Sequence, residues 1–195
     1  MKPINRFEIL GVFGSGKTTL AKLVAENINY FPKLEDHLLN PYWGQQALLE
    51  SGGNLAYDLS FLIQHLHLVQ SSMHSTESCI ICDWSFETDD LWASLRLDPD
   101  ELTSYRTTRS LLLRSVPSAT GYIYLDIDPE EIYRRMQKRG RKPEISINKE
   151  KIVYAYDILK DKVKNIRAGN ILTVDKYSTL TEISDFINRG TINER

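Results

Sequence analysis

An eight-residue segment near the start of the chain has the residue types that hold a triphosphate. Its sequence, Gly11-Val12-Phe13-Gly14-Ser15-Gly16-Lys17-Thr18, fits the pattern G-x-x-x-x-G-K-[ST]. The glycines of that pattern let backbone N–H groups turn toward phosphate oxygens, and the helix that follows adds the positive end of its dipole. The Lys17 ammonium would span the β- and γ-phosphates, and the Thr18 hydroxyl would bind Mg²⁺. The segment therefore predicts a site for a nucleoside triphosphate and magnesium.

Short apolar runs alternate with helical patterns along the rest of the chain, and these elements must position the phosphate loop. Strands are predicted at 7–10, 30–34, 79–82, 122–125 and 171–174. Helices are predicted over 17–28, 55–70, 100–116, 129–138, 149–167 and 179–188. This alternation is typical of an α/β fold whose parallel sheet carries helices on both faces. We expect one P-loop kinase domain spanning residues 1–195, with five parallel strands.

Two carboxylates follow predicted strands and so share an edge of the sheet with the phosphate loop. Ligands of such sheets bind beyond the carboxyl ends of the strands. Glu35 follows the second strand, and we interpret it as the base that accepts the proton of an attacking hydroxyl. Asp83 closes the apolar third strand and is interpreted as a magnesium ligand. The alternative for Glu35 is an ordinary acidic loop pair with Asp36.

A basic segment follows the fourth predicted strand. Residues 134–142 hold six of the chain's 24 lysines and arginines. A solvated helix end or an RNA-binding patch would also explain such a run. Because the chain already carries a phosphate loop, we favour a lid, at about 134–147, that closes over the triphosphate. Arg139 and Arg141 flank Gly140, a possible hinge, and would neutralise charge on the transferred phosphoryl group. The residues predicted to contact ATP are Gly11, Gly14, Ser15, Gly16, Lys17, Thr18, Thr19, Arg135 and Arg139.

Length, charge and composition exclude several classes of protein. The chain has 195 residues, a formal net charge of −2 and two cysteines. That charge is not typical of a nucleic-acid binder, and no apolar run reaches the ~18 residues of a membrane span. Without a signal segment, the two cysteines fit a cytoplasmic protein. The nearest match to the guanine-reading segment Asn-Lys-x-Asp, at 173–176, lacks the asparagine, which favours a kinase over a regulatory GTPase.

Taken together, these motifs resemble those of the deoxynucleoside kinase family, from about residue 7 to 174. The family's glutamate and Asn-Pro correspond to Glu35 and Asn40-Pro41. Its acidic residue before Arg-Ser corresponds to Asp83, followed here by Trp84-Ser85 and, further on, by Asp89. The lid pattern R-x-x-x-R-G-R-x-x-E is matched from Arg135 to Glu144.

The resemblance implies several properties, of which the residues by themselves indicate some. It implies a five-stranded parallel sheet, ATP as the donor, a nucleoside acceptor and a homodimer. It implies that Glu35 is the catalytic base and that Glu144 binds the sugar 3′-hydroxyl. It also places the adenine beside the residues that follow the fifth strand.

The chain departs from the family on the acceptor side. Trp84 replaces the arginine after the acidic residue, Asp58 falls where the family reads the base with glutamine, and Ala47 replaces a tyrosine. Asp58 could pair with N–H groups of a base or an amine, and Trp84 could stack on the acceptor or bind a cation. Alternatively, Trp84 is ordinary core and Asp58 caps a helix. Residues 29–43 offer only Lys33 and His37 as cations, and Trp84 replaces the arginine, which indicates a neutral or cationic acceptor. With the changes at Asp58 and Trp84, we expect an acceptor that is nucleoside-like but not a standard deoxynucleoside.

The leading prediction is an ATP-dependent phosphotransferase that acts on a hydroxyl of a nucleoside or nucleoside-like small molecule. The alternative is a nucleotide-binding regulator with impaired catalysis, because Glu35 lacks the arginine that would keep it ionised. A thymidylate kinase-like nucleoside monophosphate kinase is a further alternative. His65 and His67 lie two residues apart, about 200° around a helix, so they cannot share a metal and a structural or surface role is expected.

Overall fold

The computed structural model of the protein describes residues 4–44 and 54–192. It contains one five-stranded sheet in the order β2-β3-β1-β4-β5, and every neighbouring pair is parallel. The strands are β1 Asn5–Leu10, β2 Phe31–Lys33, β3 Cys79–Cys82, β4 Gly121–Leu125 and β5 Ile171–Val174. The predicted five-stranded parallel sheet is thus confirmed, with β1 longer and β2 shorter than expected.

Eight helices connect and cover the strands in the described part of the chain. They are α1 Lys17–Ile28, α2 Leu55–Met73, α3 Phe86–Arg96, α4 Pro99–Leu113, α5 Pro129–Arg139, α6 Lys142–Ile145, α7 Lys149–Val163 and α8 Leu180–Ile192. Six of them correspond to predicted helices, whereas α3 and α6 were not predicted. Among the residues described, no helix combines the length and apolarity needed to cross a membrane.

The side chains of the sheet alternate between two apolar layers. Phe7 and Ile9 of β1 pack in one layer with residues of α1 and α8. Leu10, on the opposite face, packs with Tyr124 and with residues of α5 and α7. A further apolar cluster joins the β3 side of that face to α2, α3 and α4. Helices therefore cover both faces, as the alternating sequence pattern predicted.

A buried ion pair in β1 fixes the position of α3. Arg6 and Glu8 are almost fully buried, and Arg6 Nε lies 2.8 Å from Glu8 Oε1. Glu8 Oε2 accepts hydrogen bonds from Ser85 Oγ at 2.8 Å and from Phe86 N at 3.2 Å. A carboxylate at a helix N-terminus is favoured by the helix dipole. Glu8 therefore fixes the turn that follows β3, and with it the residues Asp83 and Trp84.

The carboxyl ends of β1, β2 and β3 meet at one edge of the sheet. β1 pairs with β3 over Asn5–Glu8, and β3 pairs with β2 over Phe31–Lys33. Asp83 N donates to Lys33 O at 3.2 Å, which holds the ends of these two strands together. The three loops that begin there are the loops expected to carry the site.

Candidate active site

A single cavity of about 730 Å³ lies at this edge of the sheet. It is lined by all but one of the residues predicted for the site. These lining residues are Gly14, Ser15, Gly16, Lys17, Thr18, Thr19, Glu35, Asp58, Asp83, Trp84, Arg135, Arg139, Arg141 and Glu144. The exception, Gly11, is buried behind the loop, where a Cβ would collide with Ser15 Oγ. The cavity thus brings the two halves of the predicted site together.

The phosphate loop has the backbone shape that its glycines permit. Gly14 has φ of 80° and Gly16 has φ of 106°, both in the left-handed region that other residues rarely adopt. Lys17 Nζ donates to Gly11 O at 2.8 Å and to Val12 O at 3.2 Å, so the ammonium lies across the loop. Burial lowers the Lys17 pKa, and this is offset in part by the charges of Glu35 and Asp83. The first turn of α1 presents N–H groups that the helix itself does not bond.

Asp83 connects the phosphate loop to the loop that carries Glu35. Thr18 Oγ1 donates to Asp83 Oδ2 at 2.5 Å, and the backbone N–H of Glu35 donates to Asp83 Oδ1 at 2.8 Å. Asp83 is 5% exposed, and burial raises its pKa against the lowering effect of these two hydrogen bonds. A buried carboxylate would be costly without such partners. Asp83 therefore fixes the distance between the predicted donor and acceptor sides.

Glu35 extends into the cavity and has cations around it. Its side chain is 36% exposed, and its Oε2 lies 3.2 Å from Nε2 of the fully buried His65. Desolvation raises the Glu35 pKa, but His65, together with Lys17 and His37, more than offsets this, and the pKa lies below its ordinary value. The carboxyl group is therefore ionised at neutral pH and can accept a proton.

The lid residues lie opposite the phosphate loop and are held by one carboxylate. Arg139 donates to Glu144 Oε2 through Nη2 at 2.5 Å and through Nε at 3.1 Å, and Arg141 Nη1 lies 3.6 Å from Glu144 Oε1. Glu144 is 2% exposed. Gly140, at φ of 69°, ends α5 in the left-handed conformation of a helix C-terminus. Arg135 Nη1 donates to Ser15 O at 3.0 Å, which connects the lid to the phosphate loop.

Asp58 is not available as an isolated acceptor, contrary to one interpretation of the sequence. It forms a buried ion pair with Arg96 of α3, through Nη2 to Oδ1 and through Nε to Oδ2 at 3.4 Å. The exposed fractions of Asp58 and Arg96 are 3% and 4%. Asp58 also does not cap a helix, because Asn54 is the N-cap of α2. The pair presents a combined carboxylate and guanidinium to the cavity.

Trp84 has little open ring face to offer an acceptor. The indole is 2% exposed and stacks on the His65 imidazole, with ring centroids 4.1 Å apart and an interplanar angle of 1°. Phe86 contacts it edge-on. The stacking partner of Trp84 is thus a residue of the protein, and the expectation that it stacks on the acceptor is not supported.

Other aromatic residues, not singled out in the sequence, form the walls of the cavity on the acceptor side. Trp43 and Phe61 meet edge to face with centroids 6.4 Å apart, and Tyr57 contacts Phe61 in the same way at 5.2 Å. The turn that presents Trp43 is held by Asn40, whose Nδ2 donates to Tyr57 O at 3.1 Å. These rings provide apolar surface of the kind on which a planar base packs. Ala47, the predicted replacement of a tyrosine, lies outside the described residues.

The buried Asp58–Arg96 pair leads to a prediction about stability. Asp58→Ala leaves the guanidinium of Arg96 buried and unpaired, and we expect a loss of about 3 to 5 kcal/mol in the free energy of unfolding. The double variant Asp58→Leu/Arg96→Met, which removes both charges, is expected to lose less. Urea unfolding at pH 7 measures both variants. A loss below about 1 kcal/mol for Asp58→Ala would mean that solvent reaches the pair.

The fold and the site define a phosphotransferase of the P-loop type. The deoxynucleoside kinase family model matches residues 7–189. The chain therefore belongs to the deoxynucleoside kinase family, as its motifs indicated, and it is a kinase.

The chain is also similar to individual proteins. A deoxyguanosine kinase of Bacillus subtilis (strain 168) is 25% identical over 178 residues, which cover 86% of this chain and 84% of the relative. A probable thymidylate kinase of Methanococcus aeolicus is 28% identical, with 98% of each chain covered. The structure of a deoxyadenosine kinase from M. mycoides with the products dCMP and dCDP superposes with a TM-score of 0.76 at 19% identity, covering 97% of this chain and 100% of that one. The homodimer and the cytoplasmic location stay predictions.

Proposed function

We propose that the protein transfers the γ-phosphate of ATP to a hydroxyl group of a nucleoside, with Glu35 as the base. The observation that carries this proposal is that Lys17, Glu35 and the lid arginines line one cavity. A phosphate loop alone defines a nucleotide site. A carboxylate that faces the same space, and whose pKa is lowered, is what transfer to a hydroxyl additionally requires.

Each group has a distinct part in this reaction. The phosphate loop and Lys17 bind the β- and γ-phosphates, and Glu35 accepts the proton of the hydroxyl that attacks in line. Arg139 and Arg141 neutralise charge that spreads over the transferred group. In the structure both arginines are paired with Glu144. Glu144 is also the proposed contact of the sugar 3′-hydroxyl, so it would connect the acceptor to the position of the lid.

The residues at the loop fit a magnesium ion shared with the substrate. Thr18 Oγ1 and Asp83 Oδ2 are adjacent oxygen atoms of the type that Mg²⁺ prefers. Within residues 4–44 and 54–192, no group of three or more His, Cys, Asp or Glu side chains is arranged to hold a metal. Magnesium commonly takes one or two protein oxygens together with substrate phosphates and water. When bound, it would neutralise charge on the phosphates.

We further propose that the acceptor is a deoxynucleoside. The two residues that suggested an unusual acceptor, Asp58 and Trp84, are engaged by Arg96 and His65. The Asp58–Arg96 pair is neutral overall and offers both a hydrogen-bond acceptor and donors, as the edge of a purine requires. The name of one relative, a deoxyguanosine kinase, supports a purine deoxynucleoside as the first candidate.

A nucleoside monophosphate is the second candidate acceptor, since one relative is a probable thymidylate kinase. A phosphate on the acceptor needs a cation that is not already neutralised. Arg96 is paired with Asp58, and Lys33 is paired with Glu77 at 2.6 Å. The charge around the acceptor side therefore favours a neutral nucleoside.

An ADP-release assay with a panel of acceptors tests the proposal. The panel contains the four deoxynucleosides, dTMP and a sample without acceptor, each with ATP and Mg²⁺. We expect kcat/KM of about 10⁴ M⁻¹s⁻¹ or more for at least one purine deoxynucleoside. Turnover of dTMP alone would identify a monophosphate kinase. ATP binding without ADP release for any acceptor would contradict the proposal and favour a nucleotide-binding regulator.

A further inference from the structure

His65 lies buried between two carboxylates. Its Nδ1 is 2.8 Å from Asp89 Oδ2 in α3, and its Nε2 is 3.2 Å from Glu35 Oε2. The imidazole has no exposed surface, and one of its faces stacks on Trp84. His65 thus connects the proposed base to a second acidic residue through a single ring.

The surroundings of the ring favour its charged form. A neutral imidazole has one N–H, whereas imidazolium directs an N–H toward each carboxylate. In the structure Nδ1 is hydrogen-bonded to Asp89, and Nε2 lies at ion-pair distance from Glu35. The charged groups that face His65 are Glu35, from the loop after β2, and Asp89, from α3. Within the described residues, the aromatic rings that contact His65 are those of Trp84, Phe61 and Phe86. Burial lowers the His65 pKa, but Asp89 and Glu35 more than reverse this and raise it to about 10.

One face of the imidazole is covered by an aromatic ring. The Trp84 indole stacks flat on His65 with ring centroids 4.1 Å apart, an arrangement in which the aromatic face stabilises a cation. Trp84 thus supports a positive charge on the neighbouring helix α2.

We propose that His65 is a positioning residue: held between Asp89 and the ring face of Trp84, it orients the Glu35 carboxylate that faces the cavity. This inference rests on the proposed function of Glu35 as the base. Asp89 anchors the opposite side of the imidazolium, so that the ring cannot turn away from Glu35. The alternative of an impaired regulator thereby loses its motivation, because the base has its cation.

The acidic limb of the pH–rate profile tests the inference. Glu35 acts as the carboxylate, so activity falls as pH drops through its pKa, and a neighbouring cation moves that fall to lower pH. In His65→Gln we expect the acidic limb of kcat/KM to move up by about one to three pH units. At pH values well above this shifted limb, kcat/KM of His65→Gln is expected to return toward that of the wild type. A loss of equal size at every pH would mean a merely structural role and would overturn the proposal.

His67→Gln is the matched control, since His67 lies on the same helix but is exposed. We expect His67→Gln to leave the acidic limb of the pH–rate profile unchanged. Because a neutral residue at position 65 leaves two carboxylates without their cation, circular dichroism and thermal unfolding of both variants at pH 8 must accompany the kinetics. If His65→Gln is unfolded, the measurement on the intact protein described next decides the question.

Nitrogen-15 NMR of the wild-type protein reports the charge of His65 directly. We expect the signature of imidazolium to persist at pH 8, and Glu35→Gln to lower the His65 pKa, because the coupling between two titrating groups is reciprocal. A neutral His65 at pH 8 would overturn the inference. These outcomes do not depend on turnover, so they separate failure of the inference from failure of the proposed function.

Discussion

Glu35→Gln is expected to lower kcat about 10²- to 10⁴-fold, the usual contribution of a positioned general base. Glutamine has the same shape but is a poor proton acceptor, so the attacking hydroxyl keeps its proton. The hydrogen bond from the backbone N–H of residue 35 to Asp83 does not depend on the side chain, so the loop should keep its position. Steady-state kinetics with the best acceptor of the panel measures the loss, and ATP binding by titration should stay near that of the wild type.

Asp36→Asn provides the control for this substitution. Asp36 is the adjacent carboxylate, but its Oδ1 accepts from Leu38 N at 3.0 Å, where it caps a short 3₁₀ turn. If only Glu35 faces the reacting hydroxyl, Asp36→Asn keeps a kcat near that of the wild type. Equal losses of kcat in the two variants would mean that the negative charge of both carboxylates affects the rate. Glu35 would then not be the base.

The parts of the site that the sequence predicted are those set by local pattern and by the topology of a parallel sheet. The phosphate loop is contiguous, and its strand–loop–helix context is visible in the order of the residues. Glu35 and Asp83 follow two apolar runs, and parallel strands bring their carboxyl ends to one edge. The hydrogen bonds of Asp83 to Thr18 and to the Glu35 backbone are the direct result of that convergence.

The partners of the buried charges could not be predicted in this way. His65 pairs with Asp89 across 24 residues, and Asp58 pairs with Arg96 across 38. These pairings depend on how α2 packs against α3, and α3 was missing from the sequence prediction. One signal was available: Ser85 follows an apolar strand, and its side chain accepts from Glu87 N as a helix N-cap. Once α3 is placed, Asp89 and Arg96 fall on the side that packs against α2.

Ion pairs offset part of the repulsion among the cations of the lid. Counted along the sequence, the cations of residues 134–142 are adjacent and of like charge. In the structure Arg134 and Arg135 pair with Glu131, and Arg139 and Arg141 pair with Glu144. An incoming phosphate would therefore compete with Glu144 for the lid arginines. That competition, rather than simple attraction, would set how tightly the lid holds the triphosphate.

Lys17→Met is expected to lower kcat about 10²-fold or more while leaving the fold intact. Methionine keeps most of the length of the side chain but loses the charge that meets the β- and γ-phosphates. The hydrogen bonds lost are those to Gly11 O and Val12 O, both in the loop itself. We therefore expect the free energy of unfolding to change by only about 1 kcal/mol. Single-turnover kinetics and urea unfolding measure the two quantities.

Lys22→Met, on the exposed side of the same helix, is the matched control and should have a kcat near that of the wild type. The large effect expected at Lys17 follows from its electrostatics. Burial lowers the pKa of Lys17, so the ammonium is poorly solvated and gains most from a bound triphosphate. If Lys17→Met retained wild-type kcat, the charge would not act on the transferred group, and the loop would serve binding alone.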